Sequence, residues 1–247
     1  MAGVLITRGI TPAIPAGGLT VSLDTEGRPT LSCILHVNFD VVPTWISLAL
    51  LHLKNAAEAR SNRVQAQVEN INIDLGIALE REFEASMQAV MAAAIAIDSF
   101  YAVLKNHVKL PAELTTEWRD KRTARHAQVT EVIKRAFALK PQGVRFLKQN
   151  LKELYKMRDQ AVHPPSKFEA PVLHPELNVG VEWRFVYFCA TNAELAVNAM
   201  TGIFWDLAHS GKPVNSRVIE YMDSLRLRLH ELMPKGHPTK PVAENNQ

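Results

Sequence analysis

The sequence predicts a mainly α-helical protein, a bundle of five or six helices with a small β-sheet attached. Apolar residues recur at steps of three and four through most of residues 43–233, as on the buried faces of helices. Alternating apolar residues near the N-terminus and at 179–187 predict strands. We expect one domain over residues 1–233, with a β-rich extension at 1–42, followed by a disordered tail at 234–247.

Composition sets limits on the class of protein. The 247 residues are 47% hydrophobic, which is enough for a sizeable core. The two cysteines, Cys33 and Cys189, make no disulfide framework, so a reducing compartment is the default. The net charge of +3 permits a polyanionic partner without demanding one. The N-terminus lacks the pattern of a secretory leader, and the longest apolar run, 89–97, is too short for a bilayer. These features predict a cytoplasmic protein with no membrane contact.

The β-structure is predicted from two segments that flank a turn. The runs "LTVSLD" and "LSCILHVNF" lie on either side of "TEGRP", which contains a glycine, and together they predict a hairpin. The third segment, "VGVEWRFVY" at 179–187, alternates apolar and polar residues, which predicts a strand that is a candidate partner for the hairpin.

The helices are bounded by prolines and capping residues. Pro43 opens the first, which is expected to reach about residue 68, and the second is expected to end near 109–111. One helix is predicted over 113–139 and another over 142–162, because prolines disfavour helical geometry in the preceding residue. The capping-box spacing of "TNAE" predicts a further start at Thr191, and Asn215 or Ser216 caps the last helix.

The fourth of these helices contains an anomaly. Its apolar face continues through four residues at steps of three and four, and the next position on that face is Arg158. Burying an unpaired guanidinium is costly, so such a site normally has a partner or a task. His163 ends the helix, and Asp159 lies four residues before it, where its carboxylate is placed to orient the imidazole. The apolar residues are Val144, Leu147, Leu151 and Leu154.

The stretch "RDQAVHP" resembles the signature of the HEPN superfamily: an arginine, a polar residue, three further residues and a histidine. The preceding "LKQNLKELYKM" and the helix with "AAAIAIDSF" also resemble that bundle, so the resemblance covers about residues 72–210. Many members are metal-independent ribonucleases of toxins or antiviral defence that pair their motifs across a dimer. The resemblance implies that Arg158 stabilises charge on the scissile phosphate, His163 acts as general acid or base, and Asp159 holds the His163 ring.

A second stretch, "RDKRTARH", fits a looser spacing of the same signature with Arg119, Asp120 and His126. It lies in the polar half of its predicted helix, where charge needs no special explanation. Arg119, Arg122 and His126 fall on one face of that helix, which makes them a candidate RNA-binding surface. The alternative, favoured by the acidic residues between them, is an ordinary solvated face.

Three further alternatives stay open. Asp98 either pairs with Arg158 inside the bundle or faces solvent. His174, before Pro175, either extends the site or belongs to a plain turn. The sequence has no phosphate-binding glycine loop, zinc-finger spacing or GxSxG element, so neither a metal nor a cofactor is predicted.

These observations lead to two expectations of function from different classes. The first is a metal-independent, homodimeric endoribonuclease of toxin or phage-defence type that acts on RNA. The second is a catalytically inactive HEPN-like bundle that serves as a binding or adaptor module. In addition, the extension at 1–42 is a candidate docking element for an antitoxin or another defence protein.

Overall fold

A computed structural model describes residues 9–163, 168–238 and 240–241. The protein is mainly helical, as predicted, but the described residues contain eight helices rather than five or six, and their strands form separate two-stranded antiparallel sheets. In chain order the elements are β1 (Ile10–Ala13), β2 (Leu19–Leu23), β3 (Pro29–Cys33), β4 (His36–Phe39), α1 (Val42–Val68), α2 (Asn72–Lys105), α3 (Ala112–Asp120), α4 (Arg125–Phe137), α5 (Pro141–Val162), β5 (Val172–Leu173), β6 (Gly180–Val181), α6 (Trp183–Tyr187), α7 (Ala190–Ser210), α8 (Ser216–Leu232), β7 (Gly236–His237) and β8 (Lys240–Pro241).

The bundle is organised around α2. Helix α1 packs along it, α7 lies against both, α4 and α5 contact another side of α2, and α8 completes the core against α7 and α1. The predicted apolar faces of α2, α5, α7 and α8 are the buried ones, so these predictions are confirmed. Asn215 caps α8 through its Oδ1, which accepts the Val218 N–H at 3.0 Å, whereas α7 begins at Ala190 rather than at Thr191.

The helix predicted over 113–139 is wrong as a single element. It is two helices, α3 and α4, separated at residues 121–124, where Arg122 adopts a φ of 47°. Helix α3 buries no residue, because the segment is polar and basic and has no apolar face to continue against the core. The expectation that Arg119, Arg122 and His126 share one helix face is therefore also wrong.

The strand predicted over 179–187 is wrong for most of its length. Only Gly180–Val181 is a strand, paired with Val172–Leu173, and the N-terminal strands pair among themselves. Residues 183–187 form the short helix α6. The Glu182 carboxylate accepts the Arg184 N–H at 2.8 Å, and the rings of Trp183 and Tyr187 meet at 5.7 Å. These local contacts favour a helical turn over a strand.

The N-terminal hairpin is confirmed and projects from the bundle. Strands β2 and β3 are exposed throughout, and cross-strand neighbours share a face. One face is apolar, with pairs such as Val21 and Leu31, and the other carries hydroxyls such as Ser22 and Thr30, whose oxygens lie 2.7 Å apart. The suggestion that this element docks a partner protein stays a prediction.

The expected disorder over 234–247 is wrong where the structure describes the tail. Residues 236–237 and 240–241 form the β7–β8 hairpin. His237 is buried against α7, and its Nε2 lies 3.1 Å from Thr201 Oγ1, which gives this segment a polar anchor in the bundle. Residues 239 and 242–247 lie outside the described residues.

Helix α2 has the length and composition of a membrane span over one 18-residue window. The core helix of a bundle has the same length and composition, and 56% of that window is buried inside the bundle. The finding is therefore weak evidence for a membrane span. The expected cytoplasmic location stays a prediction.

Candidate functional site

Arg158 lies near the C-terminus of α5 and is half-buried, with 29% of its side chain exposed. Its Nη2 is 2.6 Å from Asp159 Oδ1, and its Nη1 is 3.6 Å from Asp98 Oδ2 on α2. The guanidinium also lies 5.3 Å from the centre of the Tyr155 ring. The arginine that interrupts the apolar face is thus held at the bundle surface by one carboxylate from its own helix and one from α2.

Asp98 faces the bundle, which is the inward alternative of the two that the sequence left open. Its Oδ1 accepts hydrogen bonds from Arg125 Nε and from the Tyr155 hydroxyl, both at 2.7 Å. Burial raises the pKa of Tyr155, and Asp98 raises it further, so the phenol remains a donor. Burial is the largest single influence on the pKa of Arg125 and lowers it, but the hydrogen bond to Asp98 and the charge of Asp98, with smaller contributions from Tyr101 and Tyr155, together leave this pKa raised.

His163 is exposed at the end of α5, and its ring has no partner among the residues that the structure describes. The helix ends here as predicted, with the His163 N–H donating to the Asp159 carbonyl at 2.8 Å. The Asp159 carboxylate bonds to Arg158 and not to the imidazole, so the expected orientation of His163 by Asp159 is not formed within the chain.

The second motif-like stretch does not assemble a site. Arg119 is exposed and pairs with Asp120, its neighbour in sequence, at 3.0 Å. His126 lies on α4 near Lys148 and Lys152 of α5; burial lowers the pKa of His126, and the two lysines lower it further. The histidine therefore belongs to the basic surface of α4 and α5, while Arg119 belongs to α3.

A different charged cluster, which the sequence reading did not find, lies between α1, α2 and the loop before β6. Its centre is Arg63, which is 1% exposed, with Nε 2.6 Å from Glu82 Oε2. Glu82 is 2% exposed, and its other oxygen accepts the Ala190 N–H at 3.0 Å, at the first residue of α7. One carboxylate thus joins α1, α2 and the start of α7.

The loop closes this cluster through Glu176 and His174. Glu176 bonds both Arg60 and Arg63, and these bonds lower the pKa of its carboxyl to about 2. His174 is 2% exposed, and its Nδ1 accepts the backbone N–H groups of Glu176 and Leu177, both at 3.2 Å. The backbone at His174 therefore forms a turn, which is one of the two alternatives that the sequence left open. The His174 side chain is buried in the Arg63 cluster and does not belong to the Arg158 site.

A signal for this cluster was present in the sequence. The buried face of α1 consists largely of alanines, and Arg63 stands among them between Ala59 and Ala66. On α2, Glu82 stands between the buried Ala78 and Ser86 in the same way. A charged residue within a helix face of small buried residues predicts a partner or a task for that charge, as Arg158 does within its leucine face. The reason is that an unpaired buried charge is costly.

In the described ranges, no three histidine, cysteine, aspartate or glutamate side chains are grouped so that they could hold a metal ion. No protein-family model, curated protein or solved structure matches this chain. The HEPN resemblance therefore rests on the motif and on its position in the bundle.

Proposed function

We propose that the protein is a HEPN-like, metal-independent endoribonuclease of toxin or phage-defence type, with a composite site at a homodimer interface. The observation that carries the proposal is the end of α5, where a half-buried Arg158 paired with Asp98 lies five residues before His163, which is exposed and whose ring has no partner in the part of the chain that the structure describes. A fixed cation and a free imidazole are the two groups that cleavage of a phosphodiester by proton transfer requires.

In the proposed reaction, His163 takes the proton of an RNA 2′-hydroxyl, whose oxygen attacks the adjacent phosphorus. The 5′-oxygen leaves and takes a proton from the partner subunit's His163, so that the products are a 2′,3′-cyclic phosphate and a 5′-hydroxyl. Arg158 donates to the phosphate oxygens as negative charge develops on them. Tyr155 and Arg125 position this arginine indirectly, because both donate to the carboxylate of Asp98 that holds it.

The surface of α5 supports binding of a polyanion. Lys148, Lys152 and Lys156 are exposed on this helix at spacings of four, which places them on one side. The first two lie close enough to His126 to lower its pKa. Such a stripe neutralises backbone phosphates without reading sequence, so binding should weaken as salt rises.

The test is cleavage of a single-stranded RNA in EDTA by the wild type and by Arg158→Ala and His163→Ala. We expect each substitution to lower the rate about a hundredfold or more, with cyclic phosphate termini on the products. Arg119→Ala is the matched control, because it removes an exposed arginine that also precedes an aspartate, and we expect its rate to be unchanged. Equal rates for all four proteins would remove the proposed site. Sedimentation velocity tests the homodimer.

The second candidate is an inactive HEPN-like binding or adaptor module, and one observation favours it. Asp159 bonds the guanidinium of Arg158 and places a negative charge where the phosphate would lie. Asp159→Asn distinguishes the two candidates. In a nuclease, removal of this charge should preserve or raise the cleavage rate, whereas a binding module stays inactive in both forms.

A further inference from the structure

The cluster around Arg63 borders a cavity of about 370 Å³ that is separate from the Arg158 site. Arg63, Glu82 and His174 are the buried residues that line it, whereas Arg60 is partly exposed and Thr191 is exposed. Pro175, Val186 and Cys189 contribute apolar surface. The volume falls within the range of small-molecule sites, about 300 to 1,000 Å³.

Two buried donors at this cavity have no partner among the described residues. Arg63 uses Nε and Nη2 for Glu82 and Glu176, while Nη1 is unpaired. The Nδ1 of His174 accepts two backbone N–H groups and so cannot carry a hydrogen, which places the proton of the neutral ring on Nε2, and Nε2 is also unpaired. A buried donor left unpaired destabilises the folded state, so two on residues that line one cavity indicate an acceptor that belongs there.

The neutral form of His174 is the stable one. Burial lowers the pKa of its imidazole, and the nearby Arg63 lowers it further. A second proton would have to go to Nδ1, where it would meet the N–H groups of Glu176 and Leu177. The ring therefore carries a single fixed donor, Nε2–H, which is buried on a residue that lines the cavity.

The N-terminus of α7 adds to the donors. The Ala190 N–H is taken by Glu82, but those of Thr191 and Asn192 meet no acceptor in the part of the chain that the structure describes. The first turn of a helix carries unpaired N–H groups and a partial positive charge, which favour an anion. Both residues line the same cavity as the two orphaned side-chain donors.

The charges select the kind of anion. Arg60 and Arg63 are matched by Glu82 and Glu176, so the helix N-terminus supplies the remaining positive potential. This balance fits one negative charge better than two, and the apolar wall fits a carbon skeleton. We propose that the cavity binds the carboxylate of a small organic acid, whose oxygens accept from Arg63 Nη1, His174 Nε2 and the first turn of α7.

The test uses isothermal titration calorimetry on the full chain with propionate and benzoate. Their uncharged amides, propionamide and benzamide, are the matched ligands, and phosphate and sodium chloride at equal ionic strength report on other anions. We expect saturable binding of at least one carboxylate and none of its amide. Binding of the amide with equal affinity, tighter binding of phosphate, or no binding of either acid would overturn the proposal and leave water as the occupant.

Two variants distinguish an effect on carboxylate binding from an effect on protein stability. In His174→Asn the side-chain oxygen still accepts the N–H groups of Glu176 and Leu177, because asparagine makes this turn itself, but the Nε2 donor is lost. We expect carboxylate affinity to fall about tenfold or more while the unliganded melting temperature changes little. His52→Asn, the same change on α1 outside this cavity, should leave the affinity unchanged. Unchanged affinity in His174→Asn would contradict the proposal.

Discussion

The Arg63 and Arg158 clusters have the same kind of ion pairing but differ in how deeply the arginine is buried. Arg63 and Arg158 each interrupt a helix face that is otherwise packed, and each is bound by two carboxylates. Arg63 is enclosed, and its partners come from α2 and from the loop before β6, so its bonds tie elements together. Arg158 keeps 29% of its side chain in solvent, and one of its partners is simply its neighbour in sequence. The first cluster is therefore expected to govern stability, and the second is expected to be available for binding.

The largest effect is expected from Glu82→Ala. Removal of this carboxylate leaves Arg63 buried with only the loop residue Glu176 as counter-ion, and leaves the Ala190 N–H without its acceptor. Breaking a buried ion pair by removal of one partner costs about 3–5 kcal/mol. Urea unfolding, followed by circular dichroism, measures this loss in the free energy of unfolding.

Glu58→Ala is the matched control for this prediction. Glu58 pairs with Lys54 on the surface of α1 at 3.7 Å, and both side chains are largely exposed. Exposed pairs contribute about 0.2–1 kcal/mol, so the loss should be small. If Glu82→Ala destabilises the protein no more than Glu58→Ala, the buried cluster does not hold α1, α2 and α7 together.

A smaller loss is expected from Asp98→Asn, because Asp98 belongs to the Arg158 cluster and keeps 24% of its side chain exposed. The amide oxygen can still accept one hydrogen bond, but Arg125 and Arg158 lose their shared counter-ion. A hydrogen bond to a charged group contributes about 1.5–3 kcal/mol, and we expect a loss in the lower part of this range because Arg158 keeps Asp159. Thermal and urea unfolding measure it.

Tyr155→Phe provides the comparison for Asp98→Asn. It removes only the hydroxyl that donates to Asp98 and keeps the buried ring, so the expected loss is about 0.5–1.5 kcal/mol. The double variant should lose less than the sum, because Tyr155→Phe removes the hydrogen bond between Tyr155 and Asp98 that Asp98→Asn already weakens by removing the charge. Strict additivity would mean that Asp98 and Tyr155 are not coupled.

The effect of Glu176→Gln is expected to depend on pH. Bonds to Arg60 and Arg63 lower the folded-state pKa of this carboxyl from 4.5 to about 2. A lowered carboxyl pKa stabilises the folded state above pH 4.5, and this contribution disappears as the pH falls from 4.5 towards 2. Wild type should therefore be more stable than Glu176→Gln at pH 7, and the difference should shrink over that interval. Urea midpoints at several pH values measure it, and a constant difference would contradict the paired geometry.

The sequence predicted the helical bundle because its apolar faces are long and regular. The buried faces of α2, α5, α7 and α8 follow the steps of three and four between apolar residues in the sequence, and the prolines after His163 predicted the end of α5. The wrong predictions concern segments whose secondary structure is determined by local contacts. The break at 121–124 lies in a polar stretch with no periodicity, and the alternation at 183–187 is equally compatible with the short capped helix α6.

The two candidate sites also differ in whether the sequence predicted them. Arg158 was detectable because leucines before it define the face that it interrupts. Arg63 was missed because the buried face of α1 is made of alanines, which are common on exposed helix surfaces as well. Its partners Glu82 and Glu176 are 19 and 113 positions away in the sequence, and such separations leave no periodic signal. Only the tertiary fold brings them together.

The smallest effect on stability, and the sharpest contrast with Arg63, is expected from His163→Ala. The imidazole is exposed at a helix end, so its removal should change the free energy of unfolding by no more than about 0.5 kcal/mol. The same change should abolish RNA cleavage if His163 transfers the proton. Unfolding and cleavage measured on one preparation distinguish these roles. Stability lost together with activity would indicate that His163 has a packing role. Full activity with full stability would mean that His163 is only a charged or polar residue at the end of α5 and takes no part in cleavage.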